Sequence, residues 1–283
     1  MISNREMKYV NAKVDNEHSI PYPGDNYSKD ALLELKNSLY LYDVYYKNRD
    51  YDILFSNGDN LVFGIQPFNL SHILGVNFNQ LRDSGIFDDL KCDIDKRTSY
   101  DLLNTIVENE DDIIKLNKLK EYSLLNFYRI KVRSEVFSKF SNFSEFNFGC
   151  INFDKDIASK KGYPTTMKSS KFLFTESDDP GFNYYMLGIS NNEDDNYYVE
   201  TMFPNNIPEK MFAGQEIVMP TVISTTTPSE FNKVEASASQ KLRMVKLYDN
   251  MARMYNSKFS YFNDYYSTLS NQARVEERQK VLK

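Results

Sequence analysis

Four apolar runs of strand length follow one another across residues 146–153, 170–175, 183–189 and 196–203. Polar turns divide the last three, one holding Asp178-Asp179-Pro180-Gly181 and the other Asn191 to Asp195. Runs this short, joined by turn residues, return on themselves, so the segment predicts an antiparallel meander. A further run over 216–224 is interrupted by Pro220, which suits a sheet edge because proline cannot donate to a ladder. Upstream, runs over 51–55 and 61–65 flank Asn57-Gly58, a strong local hairpin signal, and Pro67 ends the second.

The helical signals are kept apart from these strands. Ser28 can cap a helix over 29–46 that places Leu32, Leu35, Leu39 and Tyr42 on one face. Asn69 can cap a short helix carrying Leu70, His72, Ile73 and Leu74, with Gly75 as its stop. Thr98 or Ser99 opens a helix to Val107, and residues 111–137 bury a stripe from Ile114 to Ile130. Thr225 to Ser229 reads as a linker before a helical tract over 237–281. Segregated helices and strands predict an α+β chain: a leader at 1–27, a body at 28–224, a linker at 225–236 and a C-terminal helical segment at 237–283.

Composition narrows the chemistry. With 34 Lys+Arg against 40 Asp+Glu the chain carries −6, and this divides unevenly. Residues 233–283 hold ten basic and five acidic side chains, so residues 1–232 carry 24 − 35 = −11. An acidic body disfavours nonspecific duplex binding, which draws on many phosphate contacts. The chain has 21 Tyr and 20 Phe but no Trp, enough to build a core on Phe and leave phenols for stacking or for an interface. Cys92 and Cys150 are too few for a disulfide scaffold or a thiolate zinc site. No run approaches the roughly 20 apolar residues of a membrane span, and Met1 to Glu6 holds no apolar signal core. A soluble cytoplasmic protein without membrane contact is expected. Phosphate-cradling glycine loops, hydrolase elbows and paired-histidine zinc motifs are absent, so no metal and no cofactor is expected.

His72 is the side chain best suited to proton transfer near neutral pH, and it follows a strand directly, at a sheet's end. A half-buried structural histidine bonded to backbone is its plain alternative. The string Phe68-x-x-x-His72-x-Leu74-Gly75 resembles the signature of a phage-associated nuclease-like family, the fourth phage group of the barnase–EndoU–colicin–RelE-like superfamily. The order of the hairpin, the helix through Arg129-Ile130 and the strands around Phe148, Phe172, Leu187 and Val199 extends this resemblance over about residues 31–205.

What the resemblance implies is an RNase-like fold, helices packed on a twisted antiparallel sheet, here with a C-terminal helical extension. It implies metal-independent RNA cleavage with His72 as general base or acid. Arg129 or Lys171 would steady the phosphate, and Ser170 or Thr201 would orient it. Asn69 and Ser71 flank the motif as substrate-binding candidates, and Tyr185 or Tyr198, with Tyr184, would stack a base. Arg129 can equally pair with a nearby carboxylate, Lys171 can guard an edge, and a pleated sheet buries every second tyrosine. Two functions follow. One is an RNase-like phage effector or toxin acting on RNA. The other is an inactive nuclease-like protein that binds and inhibits a nucleic-acid-binding host defence complex. The C-terminal helical segment would serve the second as an interaction or oligomerisation element.

Overall fold

The Asn57-Gly58 turn closes its hairpin. Strands β1 (Asp50–Phe55) and β2 (Asn60–Gly64) pair antiparallel, with Tyr51 opposite Phe63 and Ile53 opposite Leu61. Gly58 takes φ +91°, a left-handed conformation that glycine adopts without a Cβ clash. Alternation then sorts the side chains: Tyr51, Ile53, Phe55, Leu61 and Phe63 are buried, while Leu54 and Val62 remain exposed.

The computed structural model describes residues 27–76, 78–83, 85–89, 96–108, 124–178, 183–191, 197–205, 210–255, 271–273 and 275. Helix α1 (Tyr27–Leu41) runs into a π turn (Tyr42–Tyr46). Short helices α2 (Leu70–Ile73), α3 (Phe78–Asp83) and α4 (Ile86–Asp89) follow the hairpin. Helix α5 (Ser99–Val107) opens on a capping box in which Thr98 and Asp101 satisfy each other's backbone amides. The helix expected over 111–137 is represented by α6 (Leu124–Lys139), and its first part lies outside the described residues. The leader at 1–27 falls outside them too, except for Tyr27.

Strands β3 (Gly149–Asn152), β4 (Lys171–Glu176), β5 (Tyr184–Asn191) and β6 (Tyr197–Asn205) form the expected antiparallel succession, with α7 (Lys155–Lys160) between the first two. Then come β7 (Glu216–Val218), β8 (Pro220–Thr226), β9 (Phe231–Glu235) and α8 (Ala238–Tyr255).

The architecture departs from an RNase-like layer of helices on a twisted antiparallel sheet. All nine strands form one mixed sheet in the order β7-β3-β4-β5-β6-β2-β1-β8-β9, curled into a half-barrel. The mixing comes from β2 and β6, which run parallel with Phe63 opposite Tyr197 and Gly64 opposite Tyr198. The curl comes from β7 and β8. Only Met219 separates them, yet β7 pairs with β3 and β8 pairs with β1, so one bent run joins the two sides of the sheet. Ser56 fixes the bend, donating its amide to the Met219 carbonyl (2.7 Å) and accepting the Met219 amide on Oγ (3.2 Å). Pro220 sits at the start of β8, where its missing N–H does least harm. It therefore marks a corner, and the apolar run over 216–224 is not one edge strand.

Two aromatic cores follow from the curl. The Lys171 ammonium on β4 lies 5.8 Å from the centre of the Phe55 ring on β1. Strands so far apart in the order can touch only across the inside of the curl, so this face is concave. It is filled around Phe143, whose ring meets Tyr46, Tyr51, Phe63, Phe140 and Phe148. The opposite face of β3–β6 packs Phe153, Phe172, Phe203 and Phe212 together.

The C-terminal segment is no extension where it is described. Helix α8 lies on that second core, with Tyr248 fully buried against Phe174 and its hydroxyl donating to the Phe148 carbonyl (3.2 Å). Gly149 makes the approach feasible, because a Cβ there would overlap the Tyr248 and Phe174 rings. Residues 225–236, expected as a linker, contain the end of β8 and all of β9, paired as a hairpin. The Thr-Pro-Ser stretch is its turn.

Candidate functional site

The His72 turn is held from two sides. Asn69 does not cap α2 with its side chain; its Nδ2 donates instead to the Val199 carbonyl (2.5 Å). Strand β2 stops beside Tyr198, so Asn69 takes over the next position along the β6 edge. At the other end of α2, Arg133 on α6 is buried and donates Nη1 to the His72 carbonyl (2.8 Å). The His72 carbonyl also accepts the Gly75 amide (3.1 Å), so the guanidinium adds a second donor at the C-terminal end of the turn. The His72 side chain is exposed, and so is Phe68 at 67%. Ser71 is buried, with its backbone amide donating to Ser99 Oγ (3.2 Å).

Further along β6 the ladder carries a bulge. Val199 is opposite Ile189 and Thr201 is opposite Gly188, which leaves Glu200 as the extra residue. The bulge aims its carboxylate at two buried serines: Ser169 Oγ donates at 2.5 Å and Ser190 Oγ at 2.7 Å, both to Oε2. The Lys168 amide donates to Oε1 at 3.3 Å. Burial alone would push the Glu200 carboxyl up. The hydroxyls of Ser169 and Ser190 and the backbone amides of Lys168 and Ser169 outweigh it and hold the carboxyl below the ordinary glutamate value. Gly188 belongs to this cluster, since a Cβ there would stand 2.7 Å from Ser169 Oγ and 2.9 Å from Thr201 Cγ2. Sequence reasoning missed Glu200; only the pairing of β5 with β6 reveals a bulge.

The remaining candidates divide between faces. Lys171 is opposite Ile189, whereas Thr201 is opposite Gly188. Neighbours on one strand point to opposite faces, so these two side chains lie on opposite sides of the sheet. Lys171 is half-buried in the concave face and donates to Asn152 Oδ1 (2.7 Å), which in turn donates Nδ2 to Glu216 (2.6 Å). Tyr185 shares the concave face and is buried in the core, while Tyr184 is buried on the other. Tyr198 is opposite Ser190, on the side of Thr201, and is half-buried. Ser170 is tied through its backbone to Phe153 and Ile189, and its buried Oγ has no hydrogen-bond partner among the described residues. Arg129 lies on α6 one turn before Arg133, with its side chain outside the described residues. Among the described strand residues, Lys171 and Tyr185 therefore face one side of the sheet and Thr201 and Tyr198 the other. Among the described residues no three His, Cys, Asp or Glu side chains stand together as a metal site requires.

A different surface is open. On β2-β1-β8-β9 the side chains that point away from the concave core are Val62, then Asp50, Asp52 and Leu54, then Val222, Ser224 and Thr226, then Phe231, Lys233 and Glu235. Leu54, Val62 and Phe231 remain 40%, 45% and 67% exposed, so no described element covers them, while the small Ser224 between them is buried by its neighbours. The face mixes apolar anchors with Asp50, Asp52 and Glu235 against the single cation Lys233.

No protein-family model, curated protein or solved structure matches the chain. The nuclease-like resemblance therefore rests on the residues quoted for it. Among the described residues no helix is long and apolar enough to cross a membrane.

Proposed function

We propose that this chain is a cytoplasmic binding protein that captures a basic, nucleic-acid-handling protein on the open face of β2-β1-β8-β9, in the manner of an inhibitor. The observation that carries this is the uncovered set Leu54, Val62 and Phe231 beside Asp50 and Asp52. Large exposed apolar side chains on one face favour a macromolecular partner, and surrounding carboxylates select a basic one. The −11 of residues 1–232 supplies the long-range attraction.

Purified wild-type protein is tested against a histone as basic probe in a salt series. Asp52→Lys should weaken binding about tenfold, since reversing a charge in an acidic face costs on the order of 1.4 kcal/mol. Glu176→Lys, an exposed acid at the end of β4, should leave it nearly unchanged. Equal loss in both variants would reduce the effect to bulk charge and sink the assignment to this face.

A second reading, RNA cleavage by His72, is favoured by the exposure of that side chain on a turn held by Asn69 and Arg133. Labelled RNA incubated with wild type and His72→Ala in the presence of chelator separates the two. The binding reading expects equal, negligible cleavage. Cyclic-phosphate ends from wild type alone would replace it with catalysis.

A further inference from the structure

Strand β9 ends the sheet, and its outer backbone is laid out for a second copy of itself. The Ala236 amide donates to the Thr221 carbonyl (3.0 Å) and the Thr227 amide to the Glu230 carbonyl (2.8 Å). In an antiparallel ladder, hydrogen-bonded and non-bonded pairs alternate. With Val222 opposite Glu235 and Thr226 opposite Phe231, residues 230, 232, 234 and 236 therefore face β8. Phe231, Lys233 and Glu235 direct their N–H and C=O groups outward, where no described strand meets them. Unpaired edges of this kind attract another strand.

A second β9 can pair antiparallel only in registers that oppose outward residues to outward residues. A two-fold axis through Lys233 sets the two ammonium groups against each other. An axis through Val234 sets Lys233 of each copy opposite Glu235 of the other. The second register makes two cross-strand ion pairs and two narrow backbone pairs, and its central side chains are the two Val234. The Lys233 and Glu235 side chains are more than half exposed and form a long ion pair within the strand (3.9 Å), a weak contact that they can exchange for partners across the edge.

We propose that the protein forms a two-fold dimer by antiparallel β9–β9 pairing centred on Val234, which joins two half-barrels through one continuous outer sheet. The inference does not rest on the histone-binding reading. The dimer would place the open faces of both copies side by side, doubling whatever surface they offer.

Sedimentation velocity of the full chain between about 5 µM and 1 mM is the test, because so small an edge contact is expected to be weak. Wild type should show a concentration-dependent monomer–dimer equilibrium. Lys233→Glu opposes two carboxylates twice and should raise the dissociation constant about tenfold or more. The double exchange Lys233→Glu with Glu235→Lys restores opposite charges in the same register and should return the constant to within about threefold of wild type. Circular dichroism checks that each variant folds. Hydrogen exchange reads the edge directly: the Lys233 and Glu235 amides should exchange fast in dilute monomer and slowly in dimer, while the Phe231 amide, which gains no partner in this register, should stay fast in both. A monomer at every concentration overturns the proposal. So does a dimer indifferent to Lys233→Glu, a failed rescue, or slow exchange of those amides in dilute monomer, which would mean another part of the chain lies on the edge.

Discussion

Glu200 shows how a single carboxylate can be held by geometry that composition does not reveal. It is the unpaired residue of a bulge, and it accepts from Ser169, Ser190 and the Lys168 amide. Its carboxyl is held below the ordinary value, so folding favours the ionised form. The stability it lends is complete above the unfolded-state pKa and is lost as pH falls through the lower, folded-state pKa. Urea unfolding of wild type and Glu200→Gln should therefore differ most near neutral pH and converge in acid; a constant difference down to pH 3 would refute the assignment. Arg133 makes a similar point. Arg129 entered as a phosphate-binding candidate through the resemblance, and its side chain lies outside the described residues; Arg133, one turn later on α6, is a buried arginine that donates to the His72 carbonyl and that no sequence signal singled out.

At the scale of elements, local signals were legible and pairings across distance were not. Asn57-Gly58 declared the β1–β2 hairpin, Thr98 or Ser99 marked the start of α5, and polar turns separated β4, β5 and β6. Each depends on residues within a few positions of one another. The parallel union of β2 with β6 joins residues more than 130 positions apart, and alternation along either strand is the same whichever neighbour it finds. Pro220 was legible as a break, but a break at an edge and a break at a corner look alike in sequence. The docking of α8 turned on Gly149, a position that reads as a weak point in a strand. Gly149→Ala should cost about 1–3 kcal/mol, because the added methyl meets two aromatic rings in a packed core. Thermal unfolding measures it, and the loss should shrink when Tyr248→Ala removes one of those rings.

Across the whole molecule, the strand-borne candidates divide between the two sides of the sheet, while Leu54, Val62 and Phe231 share one side. Tyr198 and Thr201 share one side, and Lys171 and Tyr185 the other. The face of Val62, Leu54 and Phe231 spans four neighbouring strands. Side-chain exposure could not be read in advance, because it depends on which strands become neighbours and which helices cover them. Chains ending at Gln215 lack β7, β8, β9 and the helix that covers the second core, so they should be insoluble or bind hydrophobic dyes even though β1–β6 are complete; a soluble, cooperatively unfolding fragment would contradict the role given to the Met219 bend.

That bend also sets a timetable for synthesis. Ile53 finds its partner Ile223 only 170 positions later, and the same short run must reach β3 as well. At ordinary elongation rates the first hairpin waits on the order of 10 to 30 s before the strand that seals it emerges. During that interval the growing chain shows two unsealed edges at once. Chaperone dependence in the cell should therefore follow the last quarter of the chain, the part that carries the seal, more closely than the hairpin that forms first.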